Sequence, residues 1–420
     1  MVTSVISAGD AANLGVQTTG GNDGVLVLRS GAAGAKVDAL SIAASGTATF
    51  VGEVAGVSAI NSGQIGGRRN ILYNGEMKVA QRSASVAGLG AAGGYFTLDR
   101  WQMVTGASAG RFTMAQVADG PPGFANCLKL TTTTADTSIA AGEHLLLSQN
   151  IEGQDLQQLK KGTASAEQFT MSFWVKGNAS AVYVVEVYDS DNSARVTHQS
   201  FAVTTSWNRI ELTFTGDTTG ALDDDNATSL SFSIWLHAGA DFTSGTFVSN
   251  TWSSMTHPNR AAVDGFTSIY DATSRTFFIT GVQWEIGATA TEFEHRTFGT
   301  ELALCQRYYE KSYEYAVALG TVTYYGMHVA GGSAAGPTGT SFISGNFVEY
   351  TQRKRAAATV VFYDQAGNAG KSQRWLLGSH NTNNQNVTNA GSSERGVFPY
   401  SSGTSSSSGI QIHFTADAEL

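Results

Sequence analysis

The chain reads as an all-β protein, and three observations carry that reading. Glycine supplies 48 of 420 residues, while proline supplies only 5 and charged residues 14%; the usual glycine share is about 7%. Short runs of alternating apolar and polar residues recur between Gly, Asn and Ser breaks. Helical spacing is convincing in one stretch alone, Thr300–Ser312 (TELALCQRYYEKS). The expected architecture is a Gly-rich β segment, a large two-sheet sandwich, a short connector helix and a small distal β-sandwich.

Residues 1–68 repeat short alternating runs, Val25–Leu28, Ala39–Ile42 and Thr47–Val51, without much apolar mass. Strands this short cannot build a core alone. Several identical chains wound together could, so an attachment or shaft segment formed by a multimer is expected. From residue 69 to 299 large aromatics appear, first in NILYNGEM and TLDRW and then in strand patterns at Phe169–Lys176, Ala181–Val187, Trp207–Phe214, Leu230–Leu236 and Thr276–Gly287. Many strands without intervening helices predict a sandwich with long loops.

On a helical wheel at about 100° per residue, Leu302, Leu304, Cys305, Tyr308 and Tyr309 of the stretch at 300–312 share one arc, with Gln306, Arg307, Glu310 and Lys311 opposite. Thr300 is the expected cap. So short a helix is marginal by itself, so it should dock against the β-domains as a connector. Residues 313–420 return to β patterns at Thr321–Tyr325, Ser341–Ile343, Asn346–Tyr350, Ala358–Tyr363 and Ile410–Phe414, separated by polar loops at 379–393 and 401–409.

Charge and cysteine content narrow the partners. The net charge of −9, from 25 basic and 34 acidic residues, repels a phosphate backbone, so nucleic acid is not an expected partner. The basic groups Arg68–Arg69, Lys160–Lys161 and Arg353–Arg355 are isolated and read as solvated turns. Cys127 and Cys305 sit in apolar surroundings, the setting of buried free thiols. With no secretory leader visible and no apolar run near 18 residues, a soluble protein made in a cytoplasm, without membrane insertion, is expected.

The ordered set NILYNGEM, TLDRW, TMSFWVKG, ITGVQWEIG, FEHRTFGTELALCQRYYEKS and FTADAEL resembles the C-terminal part of tail-fibre and related virion structural proteins of tailed, marine-type bacteriophages. The resemblance covers roughly residues 69–420. SFWVKG and TGVQWEIG look like strands of a jelly roll of the carbohydrate-binding-module kind, and the N-terminal repeats look like fibre shaft segments. What the resemblance implies is a homotrimer on the virion surface, synthesised in the host bacterial cytoplasm. It would attach to other virion proteins through its N-terminal segment and to a bacterial surface glycan or protein receptor through its distal parts. A head fibre or capsid decoration protein is the structural alternative, and a glycan depolymerase the enzymatic one.

No catalytic constellation stands out, so a non-enzymatic role is expected. None of the eight histidines has zinc-ligand spacing to another, and no nucleophile elbow, phosphate loop or dinucleotide fingerprint occurs in a strand-to-helix context. Glu294-His295-Arg296 reads as polar pairing beside the connector. Asp223, Asp224 and Asp225 are the candidate calcium ligands, although an Asp-x-Asp-x-Asp-Gly pattern is missing; no other cofactor is expected. Trp174, Trp235 and Trp284 lie in strand patterns and are expected in the core. Sugar rings stack on exposed aromatics, which makes Trp252, Tyr324, Tyr325, Tyr363, Trp375 and Tyr400 the receptor-binding candidates. Leu302, Cys305, Tyr308 and Tyr309 are assigned to the domain junction or an oligomer contact.

Overall fold

A computed structural model describes residues 26–30, 37–42, 48–50, 59–60, 63–64, 68–330, 332–335, 341–344, 346–376, 382–402 and 408–420. Two compact units are present, Met1–Ile60 and Asn61–Leu420. In the first, strands Leu26–Ser30, Val37–Ile42 and Ala48–Phe50 form an antiparallel sheet with Val37–Ile42 in the centre. Leu40 pairs with both Leu28 and Phe50. The three alternating runs of this segment are therefore strands, as expected.

The second unit begins with a jelly-roll sandwich. Sheet I runs in the order Asn208–Phe214, Phe169–Gly177, Thr276–Ile286, Cys127–Thr134, Arg111–Val117, Ser85–Leu89. Sheet II runs Ser253–Ser254, Arg195–Val203, Ala181–Asp189, Thr228–Ala238, His144–Glu152, Gln102–Gly106, Gly94–Tyr95. Period-2 patterning decides which face each residue takes. Met171, Phe173 and Val175 turn inward with Phe277, Ile279 and Trp284, and meet Tyr183, Val185, Phe232 and Ile234 of sheet II in one core.

NILYNGEM and TLDRW are not strands but turns driven into that core. Asn74, Met77 and Arg100 adopt left-handed backbone with φ of 54, 56 and 71°. Asn74 stabilises its own turn and ties it to the second one: its amide donates to Val79 O at 2.8 Å and Asp99 O at 2.9 Å, and its carbonyl accepts from Trp101 Nε1 at 3.0 Å.

The connector helix is shorter than expected and shifted, Phe298–Gln306. Thr297, not Thr300, is the cap, with its hydroxyl accepting from Thr300 N at 3.3 Å. The residues expected to extend the helix become a strand instead, Tyr309–Lys311, paired with the C-terminal strand Ser408–Asp417. Aromatic residues favour a pleated, half-buried surface, and this pairing wins over the weak helical arc.

Beyond the helix, Ser408–Asp417 organises one small sheet with Tyr309–Lys311, His328–Ala330, Thr359–Tyr363 and Lys371–Leu376, to which Thr382–Asn386 adds. Gly396–Ser402 organises another with Ser341–Ser344, Val348–Glu349 and Thr388–Ser392. Val348, Tyr350, Phe362, Val397, Ile410, Ile412 and Phe414 form the core between them. The expected strand at Thr321–Tyr325 is irregular chain with a turn.

Buried charge joins this distal part to the sandwich. The Glu152 carboxylate accepts from Arg307 Nε at 2.8 Å and Nη2 at 2.6 Å, and from Tyr308 Oη at 2.5 Å. Arg100, fully buried with its guanidinium 3.5 Å from the Tyr308 ring centre, pairs with Glu419. Arg82 lies 3.7 Å from the Tyr309 ring centre and bonds Asp417 at 2.9 Å. Tyr95 Oη and Asn150 Nδ2 both donate to Leu420 O at 3.0 Å.

Two of the basic groups expected as solvated turns belong to such networks. Lys354 is fully buried against Glu310 at 2.6 Å, and Arg355 donates to Ala418 O, Glu419 O and Asn226 O. Lys161 is held by Asp189 at 2.6 Å and Asp217 at 3.2 Å. A local run of charge says nothing about the distant carboxylates that neutralise it.

Candidate functional site

A bulge in sheet I shapes a concave surface. Ser172 pairs with Gln283 but Trp174 pairs with Thr280, so one extra residue is accommodated opposite Phe173. Gly281 takes the left-handed conformation there, with φ of 62°. A Cβ on Gly281 would lie 2.7 Å from Phe124 Cζ and 3.0 Å from Trp174 Cδ1, so glycine is required both for the backbone and for the room.

Around this bulge lies a cleft of about 240 Å³ lined by Trp174, Phe124, Phe293, His295, Arg209 and Glu292, with Ser172 and Gly281 in its floor. Alternation explains the floor: Phe173 and Val175 enter the core, so Ser172 and Trp174 take the outer face, and Arg209 stands beside Trp174 on the neighbouring strand. Phe124 meets Phe293 edge to face with ring centres 5.2 Å apart, and His295 tilts against Phe124 at 5.3 Å and meets Phe293 edge to face at 5.0 Å. His295 Nδ1 is 2.8 Å from Glu76 Oε1. Arg209 reaches Glu211 at 3.2 Å and donates to Thr291 O. Aromatic faces beside a guanidinium, a carboxylate, an imidazole and a hydroxyl form a surface that can stack on a ring and hydrogen-bond its hydroxyls.

Trp235 and Trp284 are buried as expected, but Trp174 is half-buried at the cleft rather than in the core. Glu294-His295-Arg296 divides its roles. Glu294 accepts from the backbone of Arg69 at 2.6 Å and Asn70 at 2.7 Å, and Arg296 donates to Leu72 O at 3.1 Å and pairs with Glu301 at 3.6 Å, while His295 faces the cleft. The sequence signals for the cleft are the lone glycine inside the TGVQWEI strand, a mark of a bulge or close approach, and the Phe-x-His pair that begins twelve residues after it.

Of the receptor-binding candidates, Tyr324 and Tyr325 are 56% and 74% exposed. Tyr363 and Tyr400 are half-buried, Tyr363 against Tyr313 at 5.9 Å. Trp252 packs on the sandwich core, and its indole N–H donates to Thr215 O at 2.9 Å. The Trp375 side chain lies outside the described residues. At the junction, Cys305, Tyr308 and Tyr309 are buried within their own chain and Leu302 is half-buried. Burial pushes the Cys127 thiol up to about 12 and raises that of Cys305 well above its usual value, and both cysteines are free.

Asp223, Asp224 and Asp225 are exposed. Their loop is occupied structurally: Asp225 Oδ1 accepts from Ala227 N at 2.8 Å, Asp223 N donates to Asp191 Oδ2 at 3.0 Å, and Asn226 Nδ2 donates to Arg355 O at 2.5 Å. Among the described residues, the metal-ligating side chains that converge are others: Asp136, Glu143 and His237.

No family model matches the sequence, and neither does any curated protein. Among solved structures, the chain is similar to a CBM4 structure at 14% identity, covering 51% of this chain and 97% of that one with a TM-score of 0.27. It is similar to the family 11 carbohydrate-binding module of cellulosomal cellulase Lic26A-Cel5E of Clostridium thermocellum at 15% identity, covering 48% and 96%, TM-score 0.25. A similar likeness, at 12% identity, 52% and 21% coverage and TM-score 0.26, is to the enzymatically active domain of tailspike protein 4 from bacteriophage CBA120.

Proposed function

We propose that this chain is a non-catalytic virion fibre protein that attaches to a bacterial surface glycan, and that the cleft around Trp174 holds the sugar. The observation that carries the reading is the cleft itself: a half-buried tryptophan on the outer face of a sheet, ringed by Phe124, Phe293 and His295 and flanked by Arg209, Glu292 and Ser172. Pyranose faces are apolar and their edges are hydroxylated, so a stacking platform with polar groups at its rim matches both. The virion setting rests on the ordered motifs from NILYNGEM to FTADAEL. The short N-terminal strands and the resemblance support a trimer, in which three weak sites gain strength through effective concentration. Tyr324 and Tyr325 are a second, distal surface available to a receptor or to a neighbouring copy.

The test is binding of the full chain to host envelope polysaccharide on an array and in solution. Saturable binding that falls on Trp174→Ala is expected. Absence of binding to any host glycan at micromolar protein contradicts the proposal, and shortening of the polysaccharide during incubation replaces it with the depolymerase alternative.

A further inference from the structure

We propose that Asp136, Glu143 and His237 form a binding site for a divalent transition metal of the Zn²⁺ or Mn²⁺ class, separate from the cleft on sheet I. Topology brings the three together. Asp136 and Glu143 stand in the connection between strands Cys127–Thr134 and His144–Glu152, and His237 lies near the end of Thr228–Ala238, the neighbour of His144–Glu152 in sheet II, where it pairs with Leu145. One ligand atom from each lies within 4.8 Å of the others, and all three residues are buried, with exposures of 5, 7 and 0%.

The charge balance of this cluster calls for a cation. Buried charges in proteins are paired or coordinate metals. Among the described residues, no lysine or arginine forms an ion pair with Asp136 or Glu143; the nearest basic side chain to Glu143 is the His237 imidazole, whose Nε2 lies 3.3 Å from Oε2. Several other deeply buried carboxylates of the sandwich have basic partners, Glu152 with Arg307, Glu186 with Arg260 at 2.5 Å and Asp189 with Lys161, whereas Glu285 is held by hydrogen bonds from Thr291 and Gln283.

The surroundings already orient the ligands. His237 Nδ1 lies 2.7 Å from Ser268 Oγ. With its hydrogen donated to that oxygen, Nε2 turns a lone pair toward Glu143 Oε2, 3.3 Å away. This is the arrangement of metal-bound imidazoles, whose second nitrogen is held by an outer hydrogen bond. Ser268 is itself fixed by Tyr270 N at 2.9 Å. Asp136 Oδ2 accepts from Ala109 N at 3.1 Å and Ser108 Oγ at 3.4 Å, and Oδ1 from Ser138 N at 3.2 Å. Ser268 also lines an open cleft of about 520 Å³ with Ile139 and Asp264. Two carboxylates and one imidazole suit borderline ions; calcium prefers six to eight oxygens, and a nitrogen ligand disfavours it.

The full chain without an affinity tag, stripped by chelator and then dialysed against Zn²⁺ or Mn²⁺, should retain one ion per chain by elemental analysis. It should also show a visible ligand-field spectrum when Co²⁺ is the probe. Glu143→Gln should abolish retention, and Ser268→Ala, which removes only the outer support, should weaken affinity about 10–100-fold. Calcium in excess should not compete. Failure of the stripped wild-type chain to take up Zn²⁺, Mn²⁺ or Co²⁺ overturns the proposal and leaves Asp136 and Glu143 sharing a proton. Uptake that persists unchanged in folded Glu143→Gln also overturns it. If Glu143→Gln does not fold, the wild-type Co²⁺ spectrum and the Ser268→Ala affinity decide.

Discussion

The cleft on sheet I and the junction between sandwich and distal domain are built from the same kinds of side chain in opposite arrangements. At the junction, Glu152 spends its oxygens on Arg307 and Tyr308, and Arg100 lies between the Tyr308 ring and Glu419. At the cleft, Trp174, Phe124, Phe293 and His295 line an open concavity with Arg209 and Glu292 beside them. An arginine, a glutamate and aromatic rings thus form a rigid bolt in one place and the proposed binding surface in the other. The difference lies in closure: the junction groups are packed against one another, while the ring faces at the cleft border open space.

The largest effect is expected from breaking the bolt. Arg307→Met leaves the fully buried Glu152 carboxylate without its cation, a change that costs about 3–5 kcal/mol when one partner of a buried pair is removed. Chemical denaturation should show that loss while glycan affinity, measured at low temperature, stays unchanged. A loss of affinity without a loss of stability would erase the distinction between the two regions. At the cleft the reverse is expected: Trp174→Ala should cost about 2 kcal/mol of binding, roughly 30-fold, as for a central aromatic anchor, with little change in the denaturation midpoint.

Gly281→Ala should act on both quantities. Left-handed backbone at a non-glycine residue costs about 1–3 kcal/mol, and the added methyl would press on Phe124 and Trp174. A smaller stability loss with a measurable fall in affinity is expected by denaturation and titration; an unchanged cleft would show that the bulge can relax.

The subtlest prediction concerns pH. Burial pushes the Glu152 carboxyl up, but hydrogen bonds from Arg307 and Tyr308 and the Arg307 charge together hold it below its usual range. A carboxylate depressed in the folded state contributes stability that is present above its unfolded pKa and is lost as pH falls through the folded value. Denaturation midpoints should therefore decline on acidification below the usual glutamate range. In Arg307→Met that part of the decline should disappear; an identical pH profile in both proteins would contradict the assignment.

Much of the fold was legible because period-2 alternation survives in the strands with one buried face. Phe169–Gly177 and Thr276–Ile286 fall almost where the pattern puts them. The helix was overextended because Tyr308 and Tyr309 fit a helical arc as well as a strand, and only the distant C-terminal strand decides between them. NILYNGEM and TLDRW announced the core but not the left-handed turns at Asn74 and Arg100 that place them in it. The cleft was the least legible feature. Trp174 looks like any strand tryptophan, and its place beside Phe124 and Phe293 comes from loops about 50 and 120 residues away along the chain. The convergence of Asp136 and Glu143 on His237 was hidden likewise, since no local spacing links the connection before His144 to the end of a strand some 90 residues later.

The most direct test is a titration of host surface polysaccharide into three full-length proteins: wild type, Trp174→Ala, and a double variant with Tyr324→Ser and Tyr325→Ser. Binding that is lost with Trp174 and kept in the double tyrosine variant is the predicted result. Binding kept by Trp174→Ala and lost when the two exposed tyrosines are replaced would move the receptor site to the distal domain and contradict the account.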